Sequence, residues 1–263
     1  MNFDFESLYQ KFNDPKHISP DPLELVHEYT NPLDQEIIAL VVSSLSYGTV
    51  AQIIKSSRKI MAIMGKTPHQ FLMGTNEQDW TKRLTSFQHR WHTGQDINSL
   101  LMALKKAYGE NPSLLDLFLK GSHKNDENIL PALTHFIVKI KELAPVALRN
   151  NLLADPASGS ACKRLHMFLR WMVRHDKVDL GIWRVIPASK LLFPVDTHIH
   201  QISLALGLTT RQQADLKTVL AITAAFKKIN PKDPVRYDFC LSRLGIKKDM
   251  TTKQLREDLL RLA

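Results

Sequence analysis

The 263-residue chain is poor in several features that usually announce a class of protein. It has two cysteines, Cys162 and Cys240. Two thiols cannot complete a zinc site alone, and without a secretory leader they read as reduced intracellular groups. The opening Met1-Asn2-Phe3-Asp4-Phe5-Glu6 has neither the basic start nor the apolar core of a signal peptide. The best apolar run, Ile37 to Leu45, is far too short to span a bilayer. These absences predict a cytoplasmic protein that makes no use of a membrane. Long low-complexity tracts and internal repeats are also missing, which argues against extended disorder. Strand signals are scarce, since no segment alternates cleanly over six residues.

Helical periodicity is what the chain does have. Leu33, Ile37, Leu40 and Val41 share one helical face, and Ile53, Ile54 and Ile60 to Met64 continue the pattern. Leu100, Leu101, Leu104 and Tyr108 form another stripe, ended by Gly109 and Pro112. Ile129 to Leu143 predicts a further helix, stopped before Pro145. The fold class expected is therefore all-α. Asp155-Pro156 and Ser158-Gly159-Ser160 have the chemistry of a loop and a helix start. They suggest an N-terminal helical lobe over 1–150 and a C-terminal lobe over 151–263, which can share one core. Beyond the loop, Leu165, Phe168, Leu169, Met172 and Val173 lie on one face of a helix whose first turn holds Lys163 and Arg164. Leu216 to Ile229 predicts another helix, and Asp233-Pro234 opens the last substantial one, through Tyr237 to Leu244.

Charge follows the same division. Residues 1–150 hold 16 Lys+Arg against 16 Asp+Glu, whereas residues 151–263 hold 19 against 10. The whole excess of nine positive charges lies in the C-terminal part. Such a face suits a polyanion, of which nucleic acid is the commonest, although a lysine-rich solvated surface has the same composition.

Pro194-Val195-Asp196 looks like a helix entrance, followed by a buried stripe of Ile199, Ile202 and Leu206 that Gly207 closes. Asp196 then caps the helix through its carboxylate. A carboxylate held rigidly in this way has a second use. A glycosyl bond breaks through a cationic sugar, and a fixed anion beside it stabilises the transition state.

Pro194-Val195-Asp196-Thr197-His198 resembles the aspartate motif of the helix-hairpin-helix DNA glycosylases. A longer likeness covers most of the chain. It runs through Lys163 to Arg174, Leu180-Gly181-Ile182-Trp183, the Asp196 segment and Pro234-Val235-Arg236-Tyr237-Asp238-Phe239, and is similar to an uncharacterised bacterial family, domain of unknown function 2400. The resemblance implies a two-lobed, glycosylase-like helical fold. It also implies a base-excision repair enzyme, with or without lyase activity at abasic sites, that flips a damaged base such as 8-oxoguanine into the cleft between lobes. The usual hairpin is absent, because residues 175–192 contain only Gly181; the fold implied has a divergent hairpin, as in the archaeal 8-oxoguanine glycosylases. In that branch the catalytic lysine lies on an earlier helix, and Lys163, 33 residues before Asp196, has that placement. Lys177, 19 residues before Asp196, has the spacing of the commoner bifunctional branch but sits in a polar loop. Lys163 is therefore the expected nucleophile, attacking C1′ while Asp196 stabilises the cation.

Arg164, His198, Lys177 and Lys190 are the expected nucleic-acid contacts. The run Phe87-Gln88-His89-Arg90-Trp91-His92 mixes rings with basic and polar groups. It suggests His89 and Trp91, with Tyr47 and Gln52, for a base pocket, while Phe87 and Trp91, four apart, can equally pack into the core. Trp171 and Trp183 are expected in the core. The predicted partner is double-stranded DNA carrying a lesion, bound by a monomer that needs neither cofactor nor metal. Two alternatives remain: a non-catalytic nucleic-acid-binding module, and a metal-dependent hydrolase built on Asp196, His198 and His200, which would face one side if that segment were a strand.

Overall fold

The computed structural model describes residues 3–244 and Gln254. The fold is all-α: a single two-stranded ribbon is the one sheet among the described residues. No described helix is long and apolar enough to cross a membrane. Helix α1 (Phe5–Phe12) is followed by α2 (Leu23–Val26), α3 (Pro32–Ser44), α4 (Val50–Met64), α5 (Pro68–Gly74) and α6 (Glu77–Leu84). Strands β1 (Gln88–His89) and β2 (His92–Thr93) precede α7 (Gly94–Glu110), α8 (Leu114–Leu119) and α9 (Leu130–Leu143). Helices α10 (Lys163–Val173), α11 (Thr197–Ala205), α12 (Leu216–Ile229) and α13 (Asp238–Ser242) follow among the described residues. The last of these is much shorter than the helix expected up to Leu244.

Contacts divide the chain into two units. One comprises Ile18–Ser158, the other Met1–His17 together with Gly159–Ala263. The sequence division at residue 150 assigned the first residues to the N-terminal lobe. They pack instead with the C-terminal segment, through groups that sequence neighbours could not reveal. Phe5 meets Phe226 and Tyr237, each at 5.3 Å between ring centroids, and the Tyr9 hydroxyl donates to Asp176 at 3.0 Å. The charge asymmetry survives the regrouping: this unit carries 21 Lys+Arg against 12 Asp+Glu, and Ile18–Ser158 carries 14 against 14.

In the Ile18–Ser158 unit, α3 is the central element. Asn31 caps it by accepting from Leu33 N, Pro32 presets its first turn, and its apolar residues from Ile37 to Val42 are buried. Helix α7 packs against α5, α6 and α9, so that Leu100, Leu104, Leu133 and Phe136 are sealed from water. Glu36, buried on α3, accepts from Tyr108 Oη and from Leu114 N, both at 2.9 Å. Phe87 and Trp91 do not share a helical face. The hairpin pairs His89 with His92, and Arg90 turns the chain at φ 53°. That twist buries Phe87 and leaves Trp91 59% exposed.

In the other unit, α10 is buried along most of its length, and Trp171 and Trp183 are core residues as expected. Arg170 and Arg174 lie one turn apart on α10 and are both buried. Arg170 pairs with Asp179 at 3.1 Å and with Asp238. Arg174 pairs with Asp233 and Asp176, both at 2.9 Å, and with Asp179. The loop after α10 turns back to meet this network. Leu180 N and Gly181 N donate to Trp171 O at 3.1 and 3.2 Å, and Trp183 N donates to Met172 O at 2.7 Å, which satisfies the last carbonyls of the helix. Gly181 has φ +63°, and a Cβ there would lie 2.4 Å from His175 Cβ and 2.9 Å from Arg174 O. No second helix follows to form a hairpin; a three-residue turn at Ala188–Lys190 stands in its place.

Two substitutions test this account by urea unfolding. Arg174→Leu leaves Asp176, Asp179 and Asp233 without their shared cation and should cost about 3–5 kcal/mol. Gly181→Ala drives a methyl into backbone at a left-handed position and should cost about 2–3 kcal/mol. Unchanged midpoints would show that neither the network nor the loop fold-back matters for stability.

Candidate active site

Lys163 and Asp196 meet. Lys163 Nζ lies 3.7 Å from Asp196 Oδ2, and the two side chains are 29% and 38% exposed. The local sequence explains both placements. Asp196 is the N-cap of α11, with extended backbone, and its Oδ1 accepts from Ile199 N at 2.9 Å. One carboxylate oxygen is thus tied to the helix and the other faces the amine. Pro194 and Val195, both buried, fix the approach to the cap. Lys163 is the first residue of α10, and its Nζ also reaches Met167 Sδ at 3.3 Å, one turn along. Cys162, immediately before it, adopts a left-handed conformation at φ 44° that is costly for a residue with a Cβ.

A second acid belongs to this site. Asp238, at the start of α13, is fully buried, and burial pushes its carboxyl up to about 6 against the pull of Arg170 and Lys163, with Asp196 adding to the rise. Its neighbours in the network divide. Burial raises the carboxyl of Asp179 despite Arg170 and Arg174. Asp176 is held below the usual range, because Arg174 and the N–H groups of Asp179 and Val178 outweigh the effect of burial. Asp238 and Arg170 lay within the segments quoted for the family resemblance. Nothing in their spacing shows that an ion pair from Arg170 would tie α10 to the start of α13.

The remaining expected residues are more scattered. Lys177 is exposed and makes no ion pair with Asp196; Lys163 holds that place. Arg164 and Lys190 are half-buried, and His198 is exposed. The metal-hydrolase alternative fails on geometry. Its three residues form a helix cap and first turn, not a strand. His198 points to solvent, while His200 is buried and donates from Nε2 to Arg211 O at 2.8 Å. No group of three or more metal-ligating side chains converges among the described residues.

In the other unit, the Tyr47 ring meets those of His89 and Trp91, with centroids 4.7 and 5.8 Å away, and Gln52 lies on α4. His89 is buried, with Nδ1 2.9 Å from Ser56 Oγ, and burial pushes its imidazole below the ordinary range. Tyr47 donates its hydroxyl to His89 O at 2.9 Å. Gln52 accepts from Thr49 N as the return arm of a capping box on α4. Trp91 and Gln52 are exposed, and Tyr47 is half-buried.

His166, one turn after Lys163, is a buried imidazole with no hydrogen-bond partner among the described residues at either nitrogen. Burial pushes its pKa from 6.5 down to about 4. A depressed pKa contributes stability above the unfolded value that is lost as pH falls through the folded one. His166→Leu should therefore match the wild type near pH 7.5 and gain on it progressively as pH falls from 6.5 toward 4, read as thermal midpoints. A difference that stays constant with pH would show that His166 does not set this dependence.

A family model described as a protein of unknown function, DUF2400, matches residues 21–247. No curated protein and no solved structure matches the chain.

Proposed function

We propose that this chain, which belongs to the DUF2400 family of proteins of unknown function, is a DNA base-excision glycosylase with Lys163 as nucleophile and Asp196 as its anionic partner. The observation that carries the reading is the 3.7 Å approach of Lys163 Nζ to Asp196 Oδ2 in a partly exposed setting. Two residues 33 apart in sequence are brought together by two different helix starts, and the carboxylate is immobilised by its own cap.

The chemistry follows from that arrangement. A damaged base, of the 8-oxoguanine class, is flipped out of the stack. The lone pair of the deprotonated Lys163 amine attacks C1′, the C1′–N bond breaks with its electron pair leaving on the base, and the base takes up the proton that the amine then sheds, so that Asp196 stays ionised. Charge that develops on the sugar lies beside the carboxylate. Ring opening gives a Schiff base between Lys163 and C1′, from which elimination of the 3′ phosphate cuts the strand and water releases the enzyme. The positive charge concentrated in the same unit favours approach of a phosphate backbone.

The test uses duplex oligonucleotides carrying 8-oxoguanine, uracil, an alkylated base or an abasic site, with borohydride added. One of them should give a covalent adduct, which Lys163→Ala abolishes. Asp196→Asn should slow turnover about 100-fold while leaving the thermal midpoint nearly unchanged, because asparagine caps a helix as well as aspartate does. If no lesion is cut and nothing is trapped, the lyase mechanism is wrong. The reading then favoured is a non-catalytic nucleic-acid-binding module, supported by the excess of nine charges in one unit. In that case neither variant changes affinity by more than the loss of one charge explains.

A further inference from the structure

Trp91 belongs to an aromatic-basic run that the proposed chemistry leaves unused. The chain has four tryptophans. Trp80, Trp171 and Trp183 are buried to within 1% exposure, whereas Trp91 is 59% exposed. It is nonetheless held in place. Its ring lies parallel to Tyr47, with planes within 3° and centroids 5.8 Å apart. Its carbonyl accepts from Arg149 Nη1 at 3.2 Å, and the hairpin register fixes its backbone. An exposed indole that is already ordered loses little freedom when something stacks on it.

A cation sits beside it. The Arg90 guanidinium lies 4.7 Å from the Trp91 ring centroid and 5.9 Å from that of Tyr47. No carboxylate among the described residues pairs with Arg90. Gly48 makes room for this side chain: at φ +96°, a Cβ there would come within 3.1 Å of Arg90 Nη1 and 3.3 Å of its Cδ. Arg90 itself holds a left-handed turn. The surroundings are polar, with Gln88, Gln52 and Thr93 all exposed. A broad apolar patch would suit a protein partner. A lone ordered indole flanked by an unpaired guanidinium suits a flat aromatic ring joined to an anion.

We infer that Trp91 and Arg90 form a stacking site for an unpaired nucleobase in single-stranded nucleic acid, the indole taking the base and the guanidinium the neighbouring phosphate. The inference needs the protein to meet nucleic acid but does not need Lys163 to react.

Its test exploits the isolation of Trp91. With the full chain, oligothymidylate should quench the part of the tryptophan emission that iodide also quenches. Trp91→Ala should remove that component and weaken binding about tenfold, Trp91→Phe should restore most of the affinity, and Gly48→Ala, which displaces Arg90, should weaken binding with quenching retained. Inorganic polyphosphate, which has charge and no bases, should bind without quenching. Lys163→Ala should leave all of this intact, so failure of the glycosylase chemistry and failure of the stacking site are separable. The inference is overturned if oligothymidylate does not quench, if Trp91→Ala binds it with wild-type affinity, or if polyphosphate quenches equally.

Discussion

Two arginines on one face of a buried helix set the terms for everything around them. Arg170 and Arg174 cannot reach water, and a guanidinium in that position must find anions or destabilise the fold. Burial disfavours the charge on Arg174, yet Asp179, Asp233 and Asp176 together hold its pKa above the ordinary arginine value. Those carboxylates come from the loop after α10 and from the approach to α13, and Asp238 adds the start of α13 itself. Tyr9 joins from α1, its hydroxyl pushed up to about 12 by burial and by Asp176. Segments far apart in sequence are therefore locked to α10 by charge. The position of Lys163 at the head of that helix is fixed as a result.

Four carboxylates against two guanidiniums leave an excess of negative charge where the dielectric is low. Burial raises the carboxyls of Asp179 and Asp238, whereas Arg174 and two backbone N–H groups hold that of Asp176 below the usual range. Asp238 thereby links the scaffold to the site. Its protonation responds to Arg170 on one side and to Lys163 and Asp196 on the other. The network that holds the fold and the pair that faces solvent are electrically one system.

Much of this was legible in the sequence, where a local rule applied. Helical periodicity gave α3, α7, α9, α10 and α12, and the Pro-x-Asp entrance gave the cap of α11. Lys163 could be placed in a first turn from its position ahead of Leu165 and Phe168. What stayed hidden depended on distance in space. No pattern within the first residues says that Phe5 will stack on Phe226 or that Glu6 will pair with Arg236 at 2.9 Å. The Phe87–Trp91 segment misled because its i,i+4 spacing fits a helix, whereas a short hairpin puts the two rings to opposite uses. The buried aspartates read as loop and cap residues, and only the fold turns them into a counter-charge.

Cys162 and Arg90 are the only non-glycine residues among those described with a left-handed backbone. Each stands directly before the side chain of interest, Lys163 in one unit and Trp91 in the other. Glycine would be more comfortable at both positions, by about 1–2 kcal/mol. A redesign guided by thermostability alone would pick these two sites early and score them as improvements. It would also loosen the two hinges that aim the amine and the indole. Here the less stable choice of residue is the one that keeps a neighbour pointed, so a more robust protein obtained that way should be a blunter one.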